Sequence, residues 1–361
     1  MFKYGEKLSL EIDGKSHSDS IFVYLDGIKK GYKIDKEKID LALLRRSPGR
    51  NDFSSRRKEN DKAVFLSGFS GDITDGTKIT AEIKNNDAKS TDYDSIKGLL
   101  RPAHADYTAY LKYGLDFDTS GGAHFSGRMT APMVLMGEIC RQILEQKGIK
   151  IVSHISEIHS TKDTPFDKAE LTDEMIFSLN NSDFPTLDSK AKEKMIDEIA
   201  VAKTNGDSVG GVIECAVLNF PTGVGDALFS SIEGKISSFM FAIPAIKGIE
   251  FGSGFFGSTL YGSQNNDEFA MENGEIITKT NNCGGILGGI SNGMPIVFKV
   301  AVKPTPSIRK EQNTVDIFKM ENAKIKIEGR HDTCIVPRAV AVVEAGVAIA
   351  LLDMLMTEGK I

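Results

Sequence analysis

Tryptophan is absent from this 361-residue chain, and cysteine occurs only four times. With 20 Phe, 8 Tyr and no Trp, a stacking platform for single-stranded nucleic acid is not expected. Cys140, Cys215, Cys283 and Cys334 lie tens of residues apart without a CxxC pair. That excludes the usual zinc and redox spacings and fits a reducing compartment. Positive charge is also in deficit: 44 Lys and Arg against 50 Asp and Glu give a net charge of −6. Such a balance argues against a general nucleic-acid binder and against a polybasic membrane-surface protein. No apolar run precedes Asp13, so no secretory signal is expected. The most apolar stretch, 336–356, is interrupted by Arg338, Glu344 and Asp353. Its uncharged part between the two acids falls far short of the roughly 20 residues of a membrane span. It reads as a buried helix, and the chain as a cytoplasmic protein with no membrane or nucleic-acid partner.

What is present is ordinary globular material, 40% hydrophobic and 26% charged. At about 150 residues per domain the length suggests roughly two domains. No Pro-, Gly- or Ser-rich linker and no internal repeat divides the chain, so one intertwined domain over 1–361 is expected. Helical spacing of apolar residues predicts helices over 128–147, 187–204, 226–242 and 337–357, the last with Pro337 in its first turn. Alternation predicts strands at 149–155, 212–220, 247–251, 295–302 and 323–328. Helices and strands mix without regular βαβ alternation, which favours an α+β fold.

Two phosphate-loop patterns fail on inspection. Gly14-Lys15-Ser16 lacks the earlier Gly of a P-loop, whose place holds Ser9. Gly252-Ser-Gly-Phe-Phe-Gly257 fits GxGxxG, but the residues after it are not expected to open a helix. Both read as turns. His154 and His159 stand five apart near a strand end, so no shared metal is expected there and surface or partly buried structural roles are. His17, His104, His124 and His331 each sit in a polar segment punctuated by Gly or Pro. Their spacing matches no metal-ligand pattern, and no metal site is expected.

Arginines recur beside those histidines: Arg101, Arg128 and Arg330. A denser basic run holds Arg45, Arg46 and Arg50, then Arg56, Arg57 and Lys58. A solvated charged loop is the plain reading of that run. Guanidinium groups also hold carboxylates and phosphates bidentately. Converging loops of this kind would receive a polyanionic small molecule, with His as general acid toward a leaving oxyanion.

These segments, in this order, resemble the signatures of the chorismate synthase family. They are Arg101-Pro-Ala-His-Ala-Asp-Tyr107 with Lys112-Tyr-Gly114, Gly284 to Gly293, Lys303 to Ser307, and Arg330-His-Asp-Thr-Cys-Ile-Val-Pro-Arg338. Arg45 to Gly49, Glu59-Asn-Asp61 and Gly262-Ser-Gln-Asn265 add to them, and the likeness runs from about residue 5 to 357. The resemblance implies a 1,4-anti elimination of phosphate from 5-enolpyruvylshikimate 3-phosphate, giving chorismate. It implies reduced FMN without net redox change, through transient electron donation that helps phosphate leave. It further implies a β-α-β sandwich with helices between antiparallel sheets, and a homotetramer.

Carried over by residue, His17 meets the departing phosphate, His104 the reduced flavin, and Asp332 acts with the flavin in removing the C6 proton. Ser16, Arg45, Arg46, Arg101, Arg128 and Arg330 are the implied substrate ligands. His124, Ser126, Ala245, Gly288, Lys303, Pro304, Thr305, Pro306, Ser307 and Arg330 are the implied flavin positions. Residues 45–60 are a candidate mobile substrate loop. No added domain or dinucleotide fingerprint accompanies the pattern, so an external flavin reductant is expected rather than self-reduction by NADPH. The chain departs from the family at Lys15, Ser18, Ala103, Ser120, His124, Met129, Pro244 and Thr333. Ser18 stands where the family has Gly, and would be strained if that position needs positive φ. Lys15, Ser18, Ser120, Met129 and Pro244 motivate the competing expectation, a non-catalytic relative that binds flavin or phosphate ligands.

Overall fold

The computed structural model describes residues 1–49, 61–85, 98–118, 120–169, 171–327, 329 and 331–361. Arg330 and residues 50–60 of the expected substrate loop lie outside the described residues. The mixed α+β class is as expected. Two five-stranded antiparallel sheets carry the fold. One runs in the order Phe2–Tyr4, Ser9–Asp13, Ser20–Asp26, Ile79–Lys84, Ala63–Ser67. The other runs Ile246–Phe251, Ile296–Val302, Gly211–Leu218, Lys150–Ile158, Thr161–Lys162. In the first sheet strict alternation buries Ile21, Val23 and Leu25 opposite Ile79, Ala81 and Ile83, leaving the intervening side chains on the other face.

The helices are α1 (Lys36–Arg46), α2 (Asp106–Tyr113), α3 (Thr130–Glu145), α4 (Asp173–Asn180), α5 (Ser189–Thr204), α6 (Ile232–Met240), α7 (Gly254–Gly257), α8 (Gly262–Asn265) and α9 (Val336–Thr357). Asp35 caps α1 by accepting from the Glu37 and Lys38 amides, and Arg45 and Arg46 occupy its last turn, where cations suit the helix dipole. The helix expected from 226 begins instead at Ile232, because Leu228 takes a left-handed φ of 57° and Ser231 supplies the cap. As expected, no helix opens at 258–261 directly after the GxGxxG segment, although its last four residues themselves form one. That helix is the single turn α7, too short to present an anion-binding terminus.

Helix α9 is the most apolar element, and nearly all of its residues are buried. It is long and apolar enough to cross a membrane by length and composition, yet 89% of its most apolar window is enclosed by protein. It packs on α1, α3 and α6 and on the strands Lys150–Ile158 and Gly211–Leu218, while α3 reaches both sheets. A Cβ at Gly137 of α3 would lie 2.3 Å from that of Ala345, so the α3–α9 approach requires glycine. Each charge that interrupts α9 has a partner. Glu344 takes a two-pronged bond from Arg45 at 2.6 and 3.1 Å. Asp353 accepts the Glu6, Lys7 and Leu8 amides, and Arg338 donates to Asp332 and to the Arg46 carbonyl.

His154 lies in mid-strand and is wholly buried, a correction to the surface or partly buried role expected of it. Its Nδ1 sits 2.9 Å from Asp163 and its Nε2 2.8 Å from Glu214. A neutral imidazole can donate from one nitrogen only, so two ionised carboxylates require the imidazolium. Burial opposes that charge, but the bonds to Asp163 and Glu214 outweigh it and raise the His154 pKa. A raised folded-state pKa gives stability that is complete below about 6.5 and is lost as pH rises through the folded value. Replacing His154 by Ala removes the cation between two buried carboxylates, leaving Asp163 only the Leu187 and Asp188 amides and Glu214 the Phe166 amide and Lys299 at 3.7 Å; it should cost about 3 kcal/mol, read from denaturant midpoints near pH 6. The gap between wild type and variant should shrink as pH rises above about 6.5; equal midpoints near pH 6 would contradict the imidazolium.

Candidate active site

A cavity of about 620 Å³ opens where six stretches of chain meet. The end of α1 supplies Arg46 and Pro48. The turn before α2 supplies Arg101, Ala103 and His104, and the turns before α3 supply His124, Ser126 and Arg128. Pro244, Ala245 and Lys247 come from the α6–strand junction, and Lys303, Thr305, Pro306 and Ser307 from the loop after the strand Ile296–Val302. His331, Asp332 and Arg338 close it at the start of α9. Among the described residues, six Lys or Arg side chains line the cavity against a single carboxylate, Asp332, in a chain that is acidic as a whole. An anionic ligand is what such a lining can attract and hold.

The arginines are held by carboxylates at the back of the wall. Arg46 and Arg128, both buried, share Asp61, with Arg46 Nη1 at 2.5 Å from it. Burial works to raise the Asp61 pKa, but the two guanidinium groups overcome it and hold the carboxyl below its usual range. Arg46 also donates to Thr130 Oγ1 and the Gly127 carbonyl, and Arg128 to Asn85 and the Lys84 carbonyl. Arg101 grips Asp106 through Nε at 2.7 Å and Nη2 at 2.6 Å, and His104 Nδ1 lies 2.9 Å from the same carboxylate. Arg338 stands on Asp332. Asp61, Asp106, Lys247 and Arg338 were not singled out from sequence; Asp61, Asp106 and Arg338 stand inside the quoted signatures, which was the available signal.

Other expected residues fall nearby or elsewhere. Ser16 and His17 do not line the cavity, but the Ser16 amide donates to the Ala123 carbonyl beside its rim, and Ser16 Oγ lies 3.0 Å from His17 Nδ1. Arg45 is occupied by Glu344 and faces α9 instead. Gly288, at φ 61° in the turn between Ile286–Leu287 and Ile290–Ser291, and Pro304 are not part of the lining. His124 rests among the rings of Phe2, Tyr113, Phe117 and Phe125, its Nε2 buried without a hydrogen-bond partner. Burial first, then Lys112 and the N-terminus, lowers its pKa, so it is neutral at pH 7.

Thr305 Oγ1 is likewise buried with no partner beside the cavity, a polar atom that a bound group could satisfy. The Lys303 amide donates to the Ala245 carbonyl at 3.0 Å, and Lys303 Nζ donates to the Ala103 carbonyl. That pair of bonds ties the three loops into one wall.

Ser18 does not carry the strain anticipated for it. It is not among the residues with positive φ, and its hydroxyl closes the turn by accepting the Lys15 amide and offering its one proton between the Lys15 and Ser20 carbonyls. The strain falls on Ala103 and Ala123, with φ of 57° and 47°, the first adjoining His104 in the chain and the second adjoining Gly122. Left-handed backbone costs a side chain about 1–2 kcal/mol, part of which glycine gives back in unfolded-chain entropy. Ala103→Gly should therefore raise stability by up to about 1 kcal/mol in a denaturant titration. A lower midpoint would contradict this account of the turn.

The chorismate synthase family model matches residues 8–356. The chain is 41% identical over 358 residues to chorismate synthase of Dehalococcoides mccartyi, covering 99% of this chain and 97% of the relative. It is 43% identical over 354 residues to that of Pyrococcus abyssi, covering 98% and 97%. A crystal structure described as chorismate synthase superposes with a TM-score of 0.76 at 30% identity, covering 98% of this chain and 93% of the other.

Proposed function

The chain belongs to the chorismate synthase family, and from that premise we propose how its own residues carry out the reaction. It is a lyase that eliminates phosphate from 5-enolpyruvylshikimate 3-phosphate to give chorismate. The observation that carries the assignment of the site is the cationic lining, six Lys or Arg against one Asp, which suits a substrate bearing one phosphate and two carboxylates. Arg46 and Arg128, sharing one carboxylate, keep one net positive charge for that substrate, and Lys247 and Lys303 add to it. Ser16 and His17 approach from the rim, where His17 gives a proton or hydrogen bond to the departing phosphate. Asp332, oriented by Arg338, acts on the C6 proton. The C3–O bond breaks and the C6 proton leaves, so the elimination is redox-neutral overall.

Reduced FMN, when bound, supplies electron density that is returned at the end of the reaction. The unpaired Thr305 hydroxyl, Ser126, Ala245, Lys303, Pro306 and Ser307 would hold it beside His104. An external reductant delivers the reduced flavin. The β-α-β sandwich of the family, in one intertwined domain, is the frame we propose for the two sheets and the helices α3 and α9. Exposed Leu228, Phe229, Phe255, Phe256 and Tyr261 support burial in a homotetramer. Four free cysteines accord with a cytoplasmic setting.

Anaerobic assay of phosphate release with reduced FMN tests the site. His17→Ala should lower kcat about a hundredfold with little change in KM, because its contribution arises as charge leaves. An unchanged kcat would remove His17 from the chemistry.

A further inference from the structure

We propose that Asp106 is the positioning residue for His104, fixing its ring with the proton on Nδ1 and Nε2 turned to the cavity, and that Arg101 acts as the clamp on Asp106. The proposal deepens the functional reading and rests on it at one point, that His104 meets the flavin. Asp106 is buried and takes four donors. One oxygen, Oδ2, accepts the Arg101 amide at 3.0 Å and Arg101 Nε at 2.7 Å. The other, Oδ1, accepts Arg101 Nη2 at 2.6 Å and faces His104 Nδ1 at 2.9 Å.

An acceptor-only oxygen opposite Nδ1 requires the proton there, which leaves Nε2 as the variable atom. Gly122 lies beside the ring: a Cβ there would stand 3.3–3.4 Å from its Cε1 and Nε2, so a side chain at that position would crowd it. Burial pulls the Asp106 pKa up, but Arg101 and His104 drive it far below the usual range, so the frame stays ionised across working pH.

Asp106→Asn makes the prediction sharp. An amide has one acceptor, and two Arg101 donors converge on Oδ2. With its oxygen there the amide keeps two of the three Arg101 bonds and gives up only that from Nη2, the smaller loss; its NH2 then faces His104 Nδ1, which must accept, forcing the proton to Nε2. The test is 15N NMR of the histidines in the full chain without added ligand, with His104 assigned by comparison with His104→Gln. Wild type should show the Nδ1–H form of His104 and Asp106→Asn the Nε2–H form.

In the flavin-loaded enzyme kcat of Asp106→Asn should fall about a hundredfold with KM little changed. A wild-type Nε2–H tautomer, or an unchanged tautomer in folded Asp106→Asn, would overturn the proposal. Should the variant fail to fold, the wild-type tautomer still decides. An Nδ1–H wild type lacking turnover with reduced FMN would support the frame and count against the flavin-facing reading instead.

Discussion

A charge buried in an apolar helix must find a partner or cost several kcal/mol, and α9 carries two, Glu344 and Asp353, with a third, Arg338, half-buried at its start. Arg338, Glu344 and Asp353 reach respectively to Asp332 and the end of α1, to Arg45, and to the amides of residues 6–8. Satisfying them fixes α1, the first hairpin and the loop after residue 329 relative to one central rod. The cavity forms where two of those attachments meet. Arg46 and Asp332, one residue along from Arg45 and six before Arg338, are brought to the same wall by that constraint.

The same logic recurs at the cavity itself. Asp61, Asp106 and Asp332 each hold at least one arginine, so the guanidinium groups are oriented before any ligand arrives. Preorganised donors lose little entropy on binding and need no rearrangement as charge develops. The cost is that part of each positive charge is already neutralised. Lys247 and Lys303 offset this: Lys303, its pKa lowered by burial and then by Lys247, adds charge to the cavity wall while tying it to the His104 turn.

Long periodic segments were legible in the sequence. Helices α3, α5 and α9 and four of the five strands of the second sheet, all but Thr161–Lys162, match their predicted ranges to within a few residues, because one face of each is continuously apolar. The first sheet escaped, since its strands are short and their polar face dilutes the signal. Site residues were legible as signatures, not as geometry. Arg45 and Arg46 are neighbours in sequence, yet one faces Glu344 and the other the cavity, a difference of helical phase that only packing decides. His154, near a strand end, read as a surface or partly buried histidine because its partners Asp163 and Glu214 are 9 and 60 residues away. The strain expected at Ser18 fell instead on Ala103 and Ala123, since side-chain bonds can rebuild a turn where a glycine is missing.

The central claim is that this cationic cavity performs an elimination that needs reduced flavin and does not consume it. The direct measurement is an anaerobic count of chorismate and phosphate formed per reduced FMN, with the flavin spectrum followed throughout. The account predicts equal amounts of the two products, many turnovers per flavin, a flavin still reduced when substrate is exhausted, and no product with oxidised FMN. Product formed equally well with oxidised flavin, or one reduced flavin oxidised per chorismate released, would contradict it.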